Sequence, residues 1–388
     1  MEPDAKAAAR EVVGLVEGEL VDLSHRIHAH PELAFEEERS SAWCAELLAD
    51  RGFSVEAGVC ELPTAFVATA GSGPLVLGIC AEYDALPGIG HACGHNVIAA
   101  AGVGAGVALA PLADDLGITV KVFGTPAEEG GGGKILMLER GAFDGVHAAM
   151  MVHPAPTEME RLPCLAVAHV DVRYTGKEAH ASAFPELGRN AADALTIAQT
   201  AIGLLRQHIA PEARIHGIVT HGGDAPNVVP AHTSGKWYIR ERTLARLAEL
   251  EPRVHRCFEA GALATGCEVE IVPQSPSYSE FRDDRQLLDL YLANAEELGR
   301  TFPDLGPVMD RMAGSTDMAN ISLAMPTIHP MLGLDSFPVS NHQPEFAEYC
   351  ATPVADRAVV DGALALAWTA VDAAGRAEVR ERLLTSPG

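Results

Sequence analysis

The sequence predicts an α/β layer built on a largely parallel, mixed sheet, interrupted by a smaller inserted α+β domain. Three observations point there. In the N-terminal part, short apolar runs alternate with stretches of helical character. From about Leu165 the runs alternate apolar and polar residues instead, and after Glu280 the first texture returns. Continuous apolar runs suit strands buried on both faces, as in a parallel sheet covered by helices. Alternation suits antiparallel strands with one face exposed.

The opening segment, MEPDAKAAAREVVGLVEGEL, is charged and reads as an amphipathic helix. It lacks the basic start and apolar stretch of a secretory signal. Residues 75–80 and 118–123 are expected to be buried strands, each followed by a turn and a helix, and 148–152 a third that ends at His153-Pro154. The carboxyl ends of such strands gather functional residues. Here they carry Glu82 and Asp84, then Glu128 and Glu129, then His153. The longest apolar stretch, 97–111, is rich in Ala and Gly and falls short of the ~18 residues that span a bilayer. Residues 166–174, 215–220 and 235–240 are expected as half-exposed antiparallel strands, interleaved with helices over 190–207 and 244–265. Two helices on one face of such a sheet make a compact unit. A helical region over 344–376 closes the chain. The expected domains are therefore 1–165 with 280–388, and an insert over 166–279.

The 388 residues suit two domains. Apolar residues are 48% and charged residues 21%, which excludes a disordered chain. With 53 acidic against 28 basic residues, the net charge of -25 argues against nucleic acid and anionic membrane surfaces as partners. It leaves a metal or a small substrate open, because local fields differ from the net one. Cys44, Cys60, Cys80, Cys93, Cys164, Cys257, Cys267 and Cys350 show no CxxC pair and no repeated spacing. Reduced thiols in a cytoplasmic protein are the expectation.

The densest chemical signal is His91-Ala-Cys-Gly-His-Asn96. Cys93 and His95 flank a glycine, so a tight turn can aim both at one ion. Thiolate and imidazole suit zinc, and imidazole also suits manganese or nickel. A buried cysteine beside a helix N-terminus would carry the same residues, and a Cys–His nucleophilic pair is a third reading. Thr125-Pro-Ala-Glu-Glu-Gly-Gly-Gly-Gly-Lys134 is the second signal. Adjacent carboxylates point in different directions, so one of Glu128 and Glu129 can bind a metal while its neighbour takes a proton from water whose pKa the metal lowers toward ~7. A phosphate loop fails here, since Glu128 and Ile135 stand where it requires Gly and Ser or Thr. With the isolated His153 and His342, the set Cys93, His95, Glu129, His153 and His342 is large enough for two metals sharing a thiolate.

These motifs resemble those of the aminoacylase/carboxypeptidase family of dinuclear metallohydrolases. The resemblance is to the amidohydrolase branch with hippurate, indole-acetyl-amino-acid and aminobenzoyl-glutamate hydrolases and β-alanyl-lysine-type dipeptidases. It runs from His28-Ala-His-Pro-Glu-Leu33 through Glu82-Tyr-Asp-Ala-Leu-Pro-Gly-Ile-Gly-His-Ala-Cys-Gly-His-Asn96 to Asn341-His-Gln-Pro344. It implies Cys93 as the bridging ligand, with His95, Glu129, His153 and His342 completing two divalent sites. Manganese or zinc would be bound, with cobalt or nickel accepted in vitro. It further implies Glu128 as general base and Asp84 as the residue that orients the site from behind. The insert would be a lid or dimerisation domain, whose His180 reaches the active site of a neighbouring subunit in a homodimer or larger homo-oligomer. Asn227 and Arg240 would contact substrate carbonyl and carboxylate, with Arg242 an alternative to Arg240. Asn96 and Glu82 depart from the common Asp at their positions.

The implied activity is hydrolysis of the amide of an N-acyl amino acid, a dipeptide or an aminobenzoyl-glutamate-like substrate. A metal-dependent deaminase acting on an aromatic amine and a catalytically silent binding homologue are the rivals.

Overall fold

A computed structural model describes residues 5–306 and 313–385, and the chain forms two compact units, Met1–Pro163 with Phe281–Gly388, and Cys164–Glu280. The first unit opens with α1 (Ala5–Ala29), α2 (Glu38–Asp50), β1 (Ser54–Ala57), β2 (Phe66–Gly71) and β3 (Leu75–Glu82). It continues with α3 (His95–Leu109), α4 (Ala113–Leu116), β4 (Ile118–Thr125), α5 (Gly133–Glu139), β5 (Ala148–Met150) and β6 (His153–Ala155). The second unit holds β7 (Ala166–Thr175), α6 (Ala191–Leu205), β8 (Arg214–His221), β9 (His232–Glu241), α7 (Leu244–Thr265) and β10 (Glu268–Pro273). The chain then returns to the first unit with α8 (Arg285–Glu297), α9 (Met318–Ala324), β11 (Thr327–Ile328) and β12 (Met331–Gly333). It ends in α10 (Pro344–Tyr349), α11 (Pro353–Gly375) and α12 (Ala377–Thr385).

The main sheet of the first unit runs β1-β2-β4-β3-β5-β11. β3 pairs parallel with β4 and β5, and β5 with β11; β1 and β2 add an antiparallel edge. This is the mostly parallel, mixed sheet that the apolar runs predict. β3 is buried along nearly its whole length because α3 packs on it, with α1 and α11 behind. α3 is buried on every side, and its small residues let its neighbours close in. A Cβ on Gly104 would sit 2.8 Å from Leu20 and 2.9 Å from Ala363.

The helical stretch that begins in α3 runs on to Leu116. At 22 residues and mean hydropathy 1.7 it is long and apolar enough to cross a bilayer, as is Pro353–Gly375. The span 97–111 expected from the sequence is therefore too short. Burial inside the unit, 83% and 72% of the apolar windows, accounts for their composition.

The run expected as one strand over 148–152 divides. β5 stays in the main sheet, while His153 opens β6, which pairs with β12 in a separate two-stranded parallel sheet. Pro154 has no N–H with which to continue the first ladder. The C-terminal helical region is likewise two helices, because Thr352 caps a new start with Pro353 in the first turn.

The second unit is an antiparallel sheet, β10-β7-β9-β8, with α6 and α7 packed on one face. Val170, Val172, Trp237 and Ile239 from the strands meet Leu195, Ile202, Leu250 and Phe258 from the helices. The alternate residues, among them His169, Tyr238 and Arg240, lie on the other face. Asn190 caps α6 by accepting the Ala192 N–H at 2.9 Å.

Candidate metal centre

β3 delivers Glu82 and Asp84 to its carboxyl end, both fully buried or nearly so. The chain then reaches Cys93-Gly94-His95, where Gly94 sits at φ +83° ahead of α3. A side chain there would meet Pro154 at 2.8 Å, so only glycine makes this turn. The turn sends the Cys93 thiol and the His95 ring from its two sides toward the same place.

β4 ends in a second constrained turn. Ala127 lies at φ +58°; its carbonyl accepts the Gly131 and Gly132 N–H groups and its own N–H donates to Glu37 Oε1 at 2.9 Å. Glu37 is held in turn by the Thr64 hydroxyl at 2.8 Å. That brace presents Glu128 and Glu129 side by side. His342 also takes a left-handed backbone, φ +68°, and donates its N–H to Ala92 O at 2.8 Å. Asn341 Nδ2 donates to Pro154 O at 3.1 Å, tying this loop to the strand that carries His153. Strained backbone at non-glycine residues persists only where its surroundings hold it.

The expected ligands come together. Cys93 Sγ lies 3.6 Å from His153 Nε2 and 3.5 Å from His342 Nε2. His342 Nε2 is 3.4 Å from Glu129 Oε1, and His95 Nε2 is 3.9 Å from carboxylate oxygens of both Glu128 and Glu129. Among the described residues three donor groups follow: Cys93/His95/His153, Cys93/Glu129/His342 and Glu82/His95/Glu128, with the ligand atoms of each within 4.8 Å of one another. Cys93 belongs to two of them, as a bridging thiolate would. His91 belongs to none.

The donor set fits divalent metal on an observation of its own. His95 Nε2, Glu82 Oε1 and Glu129 Oε1 are buried without a hydrogen-bond partner. Buried polar atoms are otherwise almost always paired. Behind them, Asp84 accepts from His95 Nδ1 through Oδ1 and from the Glu129 N–H through Oδ2, each at 3.0 Å. A carboxylate can only accept, so a His95 proton sits on Nδ1 and Nε2 is the nitrogen that faces the ligand cluster.

The electrostatics describe mutual repulsion. Burial, then Glu82 and Glu129, hold Glu128 well above the usual carboxylate range. Burial, then Glu129, push the Cys93 thiol up. Burial opposes charge on Asp84, yet the His95 ring and the two hydrogen bonds outweigh it and hold its carboxyl down. Burial brings His153 down to about 4. Burial opposes charge on His95, yet Glu82 and Asp84 outweigh it and raise it, and crowded carboxylates and a thiol of this kind are what a bound cation would stabilise in ionised form.

In the second unit, the structure brings His180 and Asn227 together. The Ala181 N–H donates to Asn227 O at 3.0 Å, and the Val229 N–H to Ala179 O at 3.0 Å. The N–H groups of Ser182 and Ala183 converge on His180 Nδ1 at 3.4 and 3.3 Å, so the exposed ring carries its proton on Nε2. Arg240 lies on the open face of β9, over the Tyr238 ring at 5.6 Å, with its Nε donating to His216 Nε2 at 3.3 Å. Arg242 falls beyond the strand end and is exposed.

Sequence reading missed a buried charge network behind the centre. Lys134 is fully buried and joins Glu82 and Asp317. Its one visible signal was Glu82, a carboxylate closing an otherwise apolar strand, which demands a compensating cation. His329, fully buried against His153 with ring centroids 5.3 Å apart, carried none. Asn96 turns away from the ligands, its Nδ2 donating to Ser24 Oγ and Cys350 O at 2.9 and 2.8 Å.

Residues 78–361 match the model of Peptidase family M20/M25/M40. The chain is 37% identical over 388 residues to an Xaa-Arg dipeptidase of Mus musculus, covering 95% of this chain and 88% of that one. It is 36% identical over 377 residues to an Xaa-Arg dipeptidase of Homo sapiens, covering 92% and 86% respectively. A p-aminobenzoyl-glutamate hydrolase chain of Escherichia coli is 37% identical over 270 residues, covering 64% of this chain and 56% of that one. The fold is similar to that of a dinuclear metal binding peptidase of family M20 from Bacillus subtilis. The TM-score is 0.61 at 21% identity, over 91% of this chain and 98% of that one.

Proposed function

Because the chain belongs to Peptidase family M20/M25/M40 and is a metal-dependent hydrolase of C–N amide bonds, we propose that Cys93, His95, Glu129, His153 and His342 hold two divalent ions. The observation that carries this reading is the convergence of the two donor groups on one thiol. When bound, the ions would supply Lewis acidity, to polarise the substrate carbonyl and lower the pKa of water. Zinc suits the thiolate, and manganese the carboxylates and imidazoles.

Glu128, beside the donors and with its carboxyl raised by burial and by Glu82 and Glu129, takes the proton of the attacking water. It then returns it to the leaving amine. Asp84 keeps His95 in the tautomer and orientation that binding requires. His180, its proton on Nε2 and its ring exposed, is fitted to donate to the developing oxyanion in a second copy of the chain, with Asn227 beside it. Cys164–Glu280 then serves as the lid and dimerisation domain. Arg240 is a better carboxylate partner than Arg242, since it stands on the sheet face with its guanidinium ordered by Tyr238 and His216. The eight free cysteines suit a reducing cytoplasm.

The substrate class is an N-acyl amino acid or dipeptide with a free carboxylate. Hydrolysis of dipeptides, N-acyl amino acids, aminobenzoyl-glutamate and aromatic amines, assayed in turn with manganese, zinc and cobalt, tests it. Turnover confined to the amides with a free carboxylate is expected. Turnover of an arylamine alone, or of nothing, overturns the reading.

A further inference from the structure

Glu82 closes β3 at the centre and is wholly buried. One of its oxygens, Oε2, pairs with the Lys134 ammonium. Lys134 does not swing freely to reach it. Asp317, just ahead of α9, accepts the Lys134 backbone N–H through Oδ2 at 2.9 Å and its ammonium through Oδ1 at 2.8 Å. That two-point hold fixes the ammonium from both ends of its own side chain, and the ammonium fixes Glu82.

The other oxygen, Oε1, is left 3.3 Å from His95 Nε2. Neither atom has a hydrogen-bond partner, and both residues are fully buried. With Nδ1 committed to Asp84, Nε2 is the His95 nitrogen that faces Glu82. A carboxylate oxygen and an imidazole nitrogen held this close in a dry interior need a cation between them, a proton or a metal ion. Glu128 Oε2 lies 3.9 Å from the same nitrogen, and Glu82, His95 and Glu128 form a donor group in their own right.

We infer that Glu82 is a further metal ligand, on the His95 side of the centre, and that Lys134 with Asp317 is the device that aims it. Lys134 is a positioning residue, fixing the carboxylate so that one oxygen is committed to the ammonium and the other to the ion. The inference rests on the two-metal reading above and adds a ligand to the five assigned there.

The test uses the full-length protein, stripped with chelator and titrated with Co²⁺, reading uptake and the visible ligand-field absorption. Glu82→Asp keeps the charge and the ammonium partner but withdraws the carboxylate by one methylene. Glu82→Gln keeps the reach and removes the charge. Both are expected to bind one Co²⁺ as the parent does and the second at least ~10-fold more weakly. A changed ligand-field spectrum should accompany the loss, whereas a purely charge-balancing role would leave Glu82→Asp like the parent. Lys134→Arg should retain both ions, and Lys134→Met should weaken the same one; if Lys134→Met fails to fold, the two Glu82 variants still decide.

Uptake of two Co²⁺ by both Glu82 variants, within threefold of the parent affinities and with its spectrum, overturns the inference. Failure of the underlying reading looks different: the parent itself would take up no Co²⁺, or Cys93→Ala and His342→Ala would leave uptake unchanged.

Discussion

Replacing Asp84 with asparagine isolates how the centre is organised, because it changes no volume and removes one acceptor. Asp84 serves two donors at once, the His95 Nδ1–H and the Glu129 N–H, each at 3.0 Å. Asparagine has a single oxygen. If that oxygen stays with His95, the new NH₂ faces the Glu129 N–H and the turn carrying Glu128 and Glu129 loses its brace. If it stays with Glu129, the NH₂ faces His95 Nδ1 and drives the ring proton onto Nε2, the nitrogen that meets the ion. Either way one hydrogen bond to a charged group is lost, about 1.5–3 kcal/mol. At 1.4 kcal/mol per decade, that is a weakening of metal binding by roughly 10–100-fold. Competition against a chelator of known affinity reads this directly, with circular dichroism confirming the fold. Affinity within threefold of the parent in a folded Asp84→Asn protein would refute the claim that Asp84 organises the ligands.

Two further outcomes are expected. Gly133→Ala would place a Cβ 1.9 Å from Pro126 O and force apart the turn that carries Glu128 and Glu129, whereas Gly130 has open space around it. Overpacking of this kind costs ~1–3 kcal/mol, so denaturant unfolding should show that loss for Gly133→Ala and none for Gly130→Ala. In the second unit, burial first, then Arg240 and His216, bring His169 down to about 4, while in the unfolded chain it titrates near 6.5. The folded state therefore excludes a proton that the unfolded state takes up, so stability is whole above pH 6.5 and falls as the pH drops toward 4. That window is worth up to roughly 3 kcal/mol. His169→Phe keeps a ring against Tyr238, 4.1 Å away between centroids, and should lose that pH dependence. Parallel stability curves for parent and variant between pH 4 and 7 would show that His169 does not carry it.

Much of the fold was legible because burial writes itself into local pattern. Residues 75–80 and 118–123 are mostly apolar and do become β3 and β4; the alternation at 166–174 and 235–240 does become antiparallel strands. The pattern misleads where one run serves two neighbours. Nothing in 148–152 says that the chain leaves the main sheet at His153 and pairs with Met331–Gly333, far along the chain. The span of 97–111 understated a helical stretch that reaches Leu116, since pattern alone does not show where the apolar run stops being helical.

The centre was legible wherever its chemistry is local. Cys93-Gly94-His95 and Glu128-Glu129 announce themselves by adjacency, whereas His153 and His342 are isolated histidines that count only as completions of that set, and the resemblance supplied their roles. Lys134 did not. It stood in plain view at the end of a glycine run, where its only local reading was a phosphate loop that fails. Its partner Asp317 is 183 residues away, and no spacing links them. A buried ion pair is a tertiary fact; only the cost of burying Glu82 alone hints that such a partner exists.

The central claim is that Glu128 moves the proton while its neighbours hold the metal. Glu128→Gln separates those roles in one protein, measured for bound metal by elemental analysis and for turnover of an amide substrate. Two ions per chain with turnover reduced by at least ~10²–10⁴-fold is the result expected of a proton-transfer residue. Unchanged turnover, or a loss of metal in step with the loss of activity, would contradict it.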